Sequence, residues 1–306
     1  MEKHVPVLLS ETIELLKINP DGVYLDMTLG GGGHSQAILD KLTEGKLYGF
    51  DQDPYAIKYS IARFKEYPSF YPIEANFKDM IMELNKRSIK EVDGILFDLG
   101  VSSFQFDQAQ RGFSYRFDAP LDMRMNPNNK LSAYNVINDY DYEDLVKIFF
   151  EYGEEKYARS IAKRIVQKRE TDEIFTTFQL VEAIKEALPN KELNKKGHPA
   201  KKVFQAIRIE VNQELTILEQ ALINAIDVLK KKGRLGVITF HSLEDRICKH
   251  LFRRLSTIDI PKGLPIINKE EPIISIVTKK AVIASQNEIE ENFRAHSAKL
   301  RVIEKN

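Results

Sequence analysis

Through the first hundred residues, short apolar runs alternate with stretches where apolar positions recur every three or four residues, the mark of a mixed α/β chain. Residues 4–9 read as an extended segment broken by Pro6, and Ser10 as the N-cap of a helix burying Ile13, Leu15, Leu16 and Ile18. Asn19-Pro20-Asp21-Gly22 is a turn signal. A buried strand over 23–25 follows, closed by Asp26, then four consecutive glycines, 30–33, and a helix over 35–42. A second strand over 47–50 is closed by Asp51, and Pro54 opens a helix with Ile57, Ile61 and Phe64 on its inner face. Strands over 70–75 and 92–98 complete this half, the second ending in Asp98.

The rhythm then changes. Residues 111–127 read as a loop rich in Arg, Asp, Met and Pro, and residues 142–170 as a charged helix with Leu145, Ile148, Phe149, Tyr157, Ile161 and Ile165 in its core contacts. A helix over 177–188 ends at Pro189, and 190–202 form a lysine-rich connector. A helix over 204–229 follows, stopped by Lys230-Lys231-Lys232-Gly233 with cations where the helix dipole favours them. A fifth strand over 235–240 leads to His241-Ser242 and a helix over 243–255; strands over 273–278 and 300–303 are the last, with 287–297 polar and without a clear period. The reading is an open, mostly parallel seven-stranded α/β sheet of Rossmann-like type, in two pieces, 1–109 and 209–306, interrupted by a helical domain over 110–208.

Composition adds limits. The 306 residues balance 45 Lys+Arg against 45 Asp+Glu, so net charge announces no nucleic-acid partner, although it leaves room for local basic surfaces. The single cysteine, Cys248, excludes an internal disulfide framework and reads as an inert thiol in a helix. There is neither an apolar run of membrane-spanning length nor a signal-peptide layout, and the expected location is the cytoplasm. Without a Cys/His cluster of zinc spacing, no structural metal is expected.

Glycines at a strand-to-helix turn let the backbone bend sharply and approach a ligand closely. Asp26, Asp51 and Asp98 all end proposed parallel strands, the edge where open α/β sheets bind ligands. Asp51, 21 positions beyond Gly30, is placed to accept hydrogen bonds from a ribose. A dinucleotide fingerprint wants G-x-G-x-x-G/A, but the sixth position from Gly30 is Ser35. Three carboxylates suit the ammonium and sulfonium of S-adenosylmethionine better than a pyrophosphate, which tilts the reading from a dehydrogenase to a methyltransferase.

A series of blocks carries a closer resemblance. In order they are Val7-Leu8-Leu9-x-Glu11, Asp26-x-Thr28-x-Gly30-x-Gly32-Gly33-His34-Ser35, Asp51-x-Asp53-Pro54 and Asp98-Leu99-Gly100-Val101-Ser102-Ser103. Then come Arg111-Gly112-Phe113-Ser114, Leu121-Asp122-Met123-Arg124-Met125, His198-Pro199-Ala200, Phe204-Gln205-Ala206-x-Arg208-Ile209 and Phe240-His241-Ser242-Leu243-Glu244-Asp245-Arg246. Together they resemble the RsmH (MraW) family of bacterial small-subunit rRNA cytosine-N4 methyltransferases, over nearly the whole chain. One block departs: Asn292-Phe293-Arg294-Ala295-His296-Ser297 stands where that family has N-P-R-A-R-S.

The resemblance implies a class I methyltransferase domain with a helical, RNA-recognising insert and S-adenosyl-L-methionine as donor. It implies a cytosine exocyclic amine near the decoding centre of 16S rRNA as acceptor. Its partner would be small-subunit rRNA, within a ribosomal particle; it says nothing firm about oligomeric state. The cofactor contacts it implies are Gly32, Gly33, His34, Asp51, Phe77, Asp98 and Gln105. Asp98 and His241 are the candidate catalytic residues, with Asp98 or a nearby carbonyl as acceptor from the amine and His241 bordering the same pocket. Phe104, Phe106, Phe113 and Tyr115 are candidates to stack on the base, since Asp98-Leu99-Gly100-Val101 lacks the prolines and aromatic of other amino-methyltransferases. Candidate phosphate contacts are Arg159, Lys163 and Arg164, the connector lysines Lys195, Lys196, Lys201 and Lys202, and Arg246, Lys249, Arg253 and Arg254. A small-molecule methyltransferase and a noncatalytic rRNA-binding assembly factor stay open at this stage.

Overall fold

The computed structural model describes residues 6–258 and 271–306, apart from the side chain of Ser103. Positions 4–5 of the expected N-terminal segment lie outside the described residues. Contacts group the chain into two compact units, one of residues 1–100 and 215–306, the other of residues 101–214.

The first unit is a seven-stranded sheet in the order β3-β2-β1-β4-β5-β7-β6. Its strands are β1 (Val23–Asp26), β2 (Lys46–Asp51), β3 (Phe70–Glu74), β4 (Val92–Asp98), β5 (Leu229–Thr239), β6 (Ile274–Ile276) and β7 (Lys299–Lys305). β1 to β5 pair in parallel, whereas β7 runs antiparallel to both β5 and β6. The central strands are near-continuous apolar runs because helices cover both faces. Leu25, Phe50, Ile95, Phe97, Leu235 and Val237 fill one face together with Leu222 and Phe252 from the covering helices. The α/β class and the mostly parallel sheet expected from sequence are thus what the chain forms.

Helix α1 (Leu9–Leu16) differs from expectation at its start. Residues 7–9 are not extended, and Ser10 is not the cap: Leu8 holds the N-cap position in the left-handed region at φ 53°. That conformation costs a bulky residue about 1–2 kcal/mol. Leu8 is completely buried, which is worth about 1.5–3 kcal/mol for a leucine, so burial overrides the capping preference. α2 (Gly33–Leu39) follows the glycines. In α3 (Pro54–Arg63) Asp53 caps Tyr55 N, and the inner face is Ala56, Ile57 and Ser60; Ile61 instead faces solvent. α4 (Met80–Lys86) leads to β4.

The second unit is helical around one core. It holds α5 (Ser103–Asp107), α6 (Ala133–Asp139), α7 (Tyr142–Glu151), α8 (Ala158–Arg169), α9 (Thr177–Glu186), α10 (Asn190–Leu193) and α11 (Lys201–Asn212). The single helix expected over 142–170 is two, because the chain turns at Gly153 and Glu154. A Cβ on Gly153 would lie 2.6 Å from the Phe149 carbonyl oxygen, and Glu154 has φ 47°. The helix expected over 204–229 is also two, broken at Gln213 with φ 53°, after which α12 (Glu214–Val228) begins.

Lys230-Lys231-Lys232-Gly233 does not stop a helix through its dipole. α12 ends before it, and these residues form a bulge inside β5, between the Val92–Leu229 and Gly94–Arg234 pairs. Their cations meet carboxylates: Lys230 Nζ lies 2.8 Å from Asp93 Oδ2, and Lys232 Nζ 3.5 Å from Glu304 Oε1. α13 (Ser242–Leu255) buries Cys248, whose thiol is pushed up by burial and so stays protonated. α14 (Gln286–Glu291) and a 3₁₀ turn (Phe293–Ser297) occupy the stretch that showed no period.

Candidate active site

The carboxyl edge of β1, β2 and β4 carries the three aspartates and the glycine loop singled out in the sequence. After β1, the amide of Leu29 donates to the Phe50 carbonyl and that of Gly30 to Asp51 Oδ2 at 2.8 Å, folding the glycine loop over the end of β2. Gly32 sits at φ 72°, and a Cβ there would come 2.7 Å from the Phe64 ring. A Cβ on Gly33 would lie 2.1 Å from Pro6 Cγ. Arg63, which sequence reading missed, donates to the Gly31 carbonyl from outside the loop.

The three aspartates differ in environment. Asp26 is fully buried; its Oδ2 accepts from Ser35 Oγ at 2.7 Å and its Oδ1 from the Thr28 amide. Burial nevertheless holds its carboxyl above the ordinary range, with the charge on Asp98 adding to the shift. Asp51 accepts from the amides of Gly30 and Asp53, each at 2.8 Å. Burial, assisted by the charges of Asp53 and Asp26, still pushes it up to about 7. Asp98 donates its amide to Thr28 Oγ1 at 2.6 Å. One carboxylate oxygen, Oδ2, lies 3.4 Å from His34 Nδ1; the other, Oδ1, is buried with no hydrogen-bond partner.

An acidic rim with an orphaned carboxylate oxygen, beside a backbone cradle kept open by glycines, fits a cationic ligand that brings its own donors. S-adenosylmethionine has that character: an ammonium and a sulfonium for the carboxylates, and a ribose diol. Gly32, Gly33, His34, Asp51 and Asp98 lie within the sheet unit at this edge. Phe77, just after β3, is half-buried with its ring edge-on to Phe97 at 5.6 Å. Gln105 belongs to the second unit, where its Oε1 accepts from the Ser102 amide in a capping box.

His241 is the N-cap of α13, its Nδ1 accepting from the Glu244 amide at 3.5 Å. Its Nε2 lies 3.1 Å from Glu244 Oε1, near enough for an ion pair but not aligned as a hydrogen bond. Glu244 Oε2 in turn accepts from the amides of Phe240 and His241. This geometry gives His241 a helix-capping task.

Of the stacking candidates, Phe113 is buried in the helical core. Tyr115 already stacks on His198, with ring centroids 4.2 Å apart and 9° between planes. Phe104 is half-buried and Phe106 exposed. The blocks around 111–125 maintain a loop: Arg111 donates to the carbonyls of Arg124 and Met125, and Arg124 grips Asp122 with Nε and Nη2. Among the basic candidates, Arg164 pairs with Glu186, Lys195 with Glu192 and Arg254 with Glu219, while Lys202 donates to the Glu154 carbonyl. Arg159, Lys163, Lys196, Lys201, Arg246, Lys249 and Arg253 are exposed.

Comparison with known proteins matches residues 1–306 to the model of the MraW methylase family. A relative from Streptococcus mutans, Ribosomal RNA small subunit methyltransferase H, is 53% identical over 309 residues, spanning 99% of this chain and 97% of its own. Among solved structures, an rRNA methylase from Streptococcus thermophilus is similar with a TM-score of 0.42 and 11% identity, covering 100% of this chain and 98% of that one. Fibrillarin from Aeropyrum pernix, in complex with natively bound S-adenosyl-L-methionine, is similar with a TM-score of 0.41 and 8% identity, covering 94% and 67%.

Proposed function

The chain belongs to the MraW methylase family, and from that premise we propose that it methylates the N4 exocyclic amine of a cytosine in small-subunit rRNA, near the decoding centre, with S-adenosyl-L-methionine as donor. What carries the reading is 53% identity to an rRNA small-subunit methyltransferase over 99% of the chain, since the fold alone serves many chemistries.

When bound, S-adenosylmethionine supplies an electrophilic methyl group and a thioether leaving group. The chain's own residues must hold and orient. The glycine cradle would allow a close backbone approach, Asp51 would hold the ribose, Phe77 pack by the adenine and Asp98 lie by the methionine end; family resemblance adds Gln105. A cytosine amine is a weak nucleophile because its lone pair is delocalised into the ring. In-line alignment therefore carries much of the rate. An acceptor at the amine localises the lone pair and meets the positive charge that develops as the new bond forms. The orphaned Oδ1 of Asp98, or a nearby carbonyl, would accept from the amine N–H, and the proton the amine gives up on methylation would pass to Asp98 or to solvent. His241 is held to its helix, so a chemical role for it is the weaker assignment.

The RNA contacts we assign to the exposed basic groups, Arg159, Lys163, Lys196 and Lys201 in one unit and Arg246, Lys249 and Arg253 in the other. The target base must leave its stack, at a cost of a few kcal/mol. We place the reaction in the cytoplasm, on a ribosomal particle; among the described residues no helix is long and apolar enough to cross a membrane. Offering methyl-labelled donor to unmodified small subunits, naked rRNA and a metabolite pool tests the reading. Label should enter one of the two RNA substrates; label in the metabolite pool alone contradicts it.

A further inference from the structure

His34 is nearly buried, and both of its ring nitrogens face acceptors. Nε2 lies 3.0 Å from the carbonyl oxygen of Val7, and Nδ1 3.4 Å from Asp98 Oδ2. A neutral imidazole carries one N–H, so either neutral tautomer would set a nitrogen lone pair against an oxygen. With Asp98 as the carboxylate, only the imidazolium satisfies both contacts. Resting on the reading of Asp98 as part of the donor site, we propose that His34 is a positioning residue, a charged ring bridging the Val7 carbonyl and Asp98 so that the second oxygen of Asp98 stays aimed at the ligand.

The surrounding structure holds this bridge at both ends. Asp98 is fixed from its backbone by Thr28 Oγ1. Val7 belongs to a strap in which Pro6 rests on Gly33 and the Leu8 amide donates to Glu288 Oε1 at 2.7 Å. The charged groups acting on the ring are Asp98 at the end of β4 and Asp26 at the end of β1; α1, packed on α2, carries Glu11 and Glu14 and no basic residue. Burial opposes charging the ring, but the hydrogen bond and charge of Asp98 and the charge of Asp26 outweigh it, leaving its pKa raised above 6.5. The charged bridge is therefore complete below that value and is lost as pH rises through the raised one.

The direct test needs no donor. In ¹⁵N-histidine spectra of the full chain, with His34 assigned by its disappearance in His34→Gln, both ring nitrogens should be protonated at pH 6.5. A neutral His34 at that pH overturns the proposal. A second test uses two isosteres: Asn places its amide nitrogen near the Nδ1 position, and Gln near Nε2. His34→Asn, which keeps a donor to Asp98, should bind S-adenosylmethionine within a few-fold of the parent. His34→Gln, which keeps only the Val7 contact, should bind about 10- to 100-fold more weakly, the value of a hydrogen bond to a charged group. Equal losses in both variants, tracking a common loss of thermal stability, would reduce His34 to a structural residue and overturn the proposal. A parent protein that binds no S-adenosylmethionine at all would sink the proposed function instead, and the ring spectra would still decide the charge.

Discussion

Asp51 carries two opposing influences on one carboxyl group. Two amides point at it, which favours the anion, yet burial and the neighbouring Asp53 and Asp26 push it up to about 7 from 3.8. In the free protein it takes up a proton on folding between those values, so its contribution to stability falls as pH rises from 3.8 towards about 7. On the proposed reading, ribose hydroxyls would donate to it and favour the anion, so the linkage for binding runs the other way. Donor affinity should rise with pH through about 7, by up to about tenfold per unit, with a proton released on binding. Calorimetry in buffers of different ionisation enthalpy measures both, and Asp51→Asn should abolish this rise while leaving the fall that loss of the His34 charge brings at higher pH. Asp98→Asn should keep donor binding measurable while lowering the transfer rate at saturating donor by about 100-fold or more. Single-turnover assays that found the full rate would remove the charge-dependent role of Asp98. These aspartates were legible in the sequence because strand ends in a parallel sheet converge on one edge. The partners that tune them were not: the Val7 carbonyl is 27 positions from His34, and Thr28 is 70 from Asp98.

Between strands, the elements depend on close approaches that a sequence marks only by glycine. Gly33→Ala would drive a Cβ to 2.1 Å from Pro6, so the strap must shift. The expected cost is about 1–3 kcal/mol in chemical denaturation, with weaker donor binding alongside. In the helical unit, Asn212 accepts from the Met125 amide and donates to the Met123 and Arg208 carbonyls while almost fully buried. Asn212→Ala should cost about 1–3 kcal/mol by removing these hydrogen bonds from a buried site, measured by the same unfolding titration. Strands were readable because their apolar runs are short and punctuated. Helix boundaries were harder, since Glu154 and Gln213 reverse the chain with positive φ inside sequences that otherwise favour helix. At Leu8, tertiary burial decided against the local capping signal of Ser10. The triple lysine resembled a helix stop; its cations answer to Asp93 and Glu304, far away in sequence.

For the molecule as a whole, a sheet unit and a helical unit of residues 101–214 are threaded on one chain whose charges sum to zero. RNA binding must then come from local basic groups, and its affinity should fall steeply with added salt, roughly tenfold or more across a fourfold increase. A flat response in filter binding would deny these groups a phosphate role. The α/β periodicity and its interruption were visible in the apolar pattern, whereas the acceptor was readable only through blocks that resemble a family, because no spacing of residues spells out a cytosine amine. The central claim is tested most directly by nucleoside mass spectrometry of unmodified small-subunit rRNA incubated with this protein and methyl-labelled S-adenosylmethionine. The account predicts label on N4 of a single cytidine near the decoding centre; label on another atom or nucleoside, or none, would contradict it.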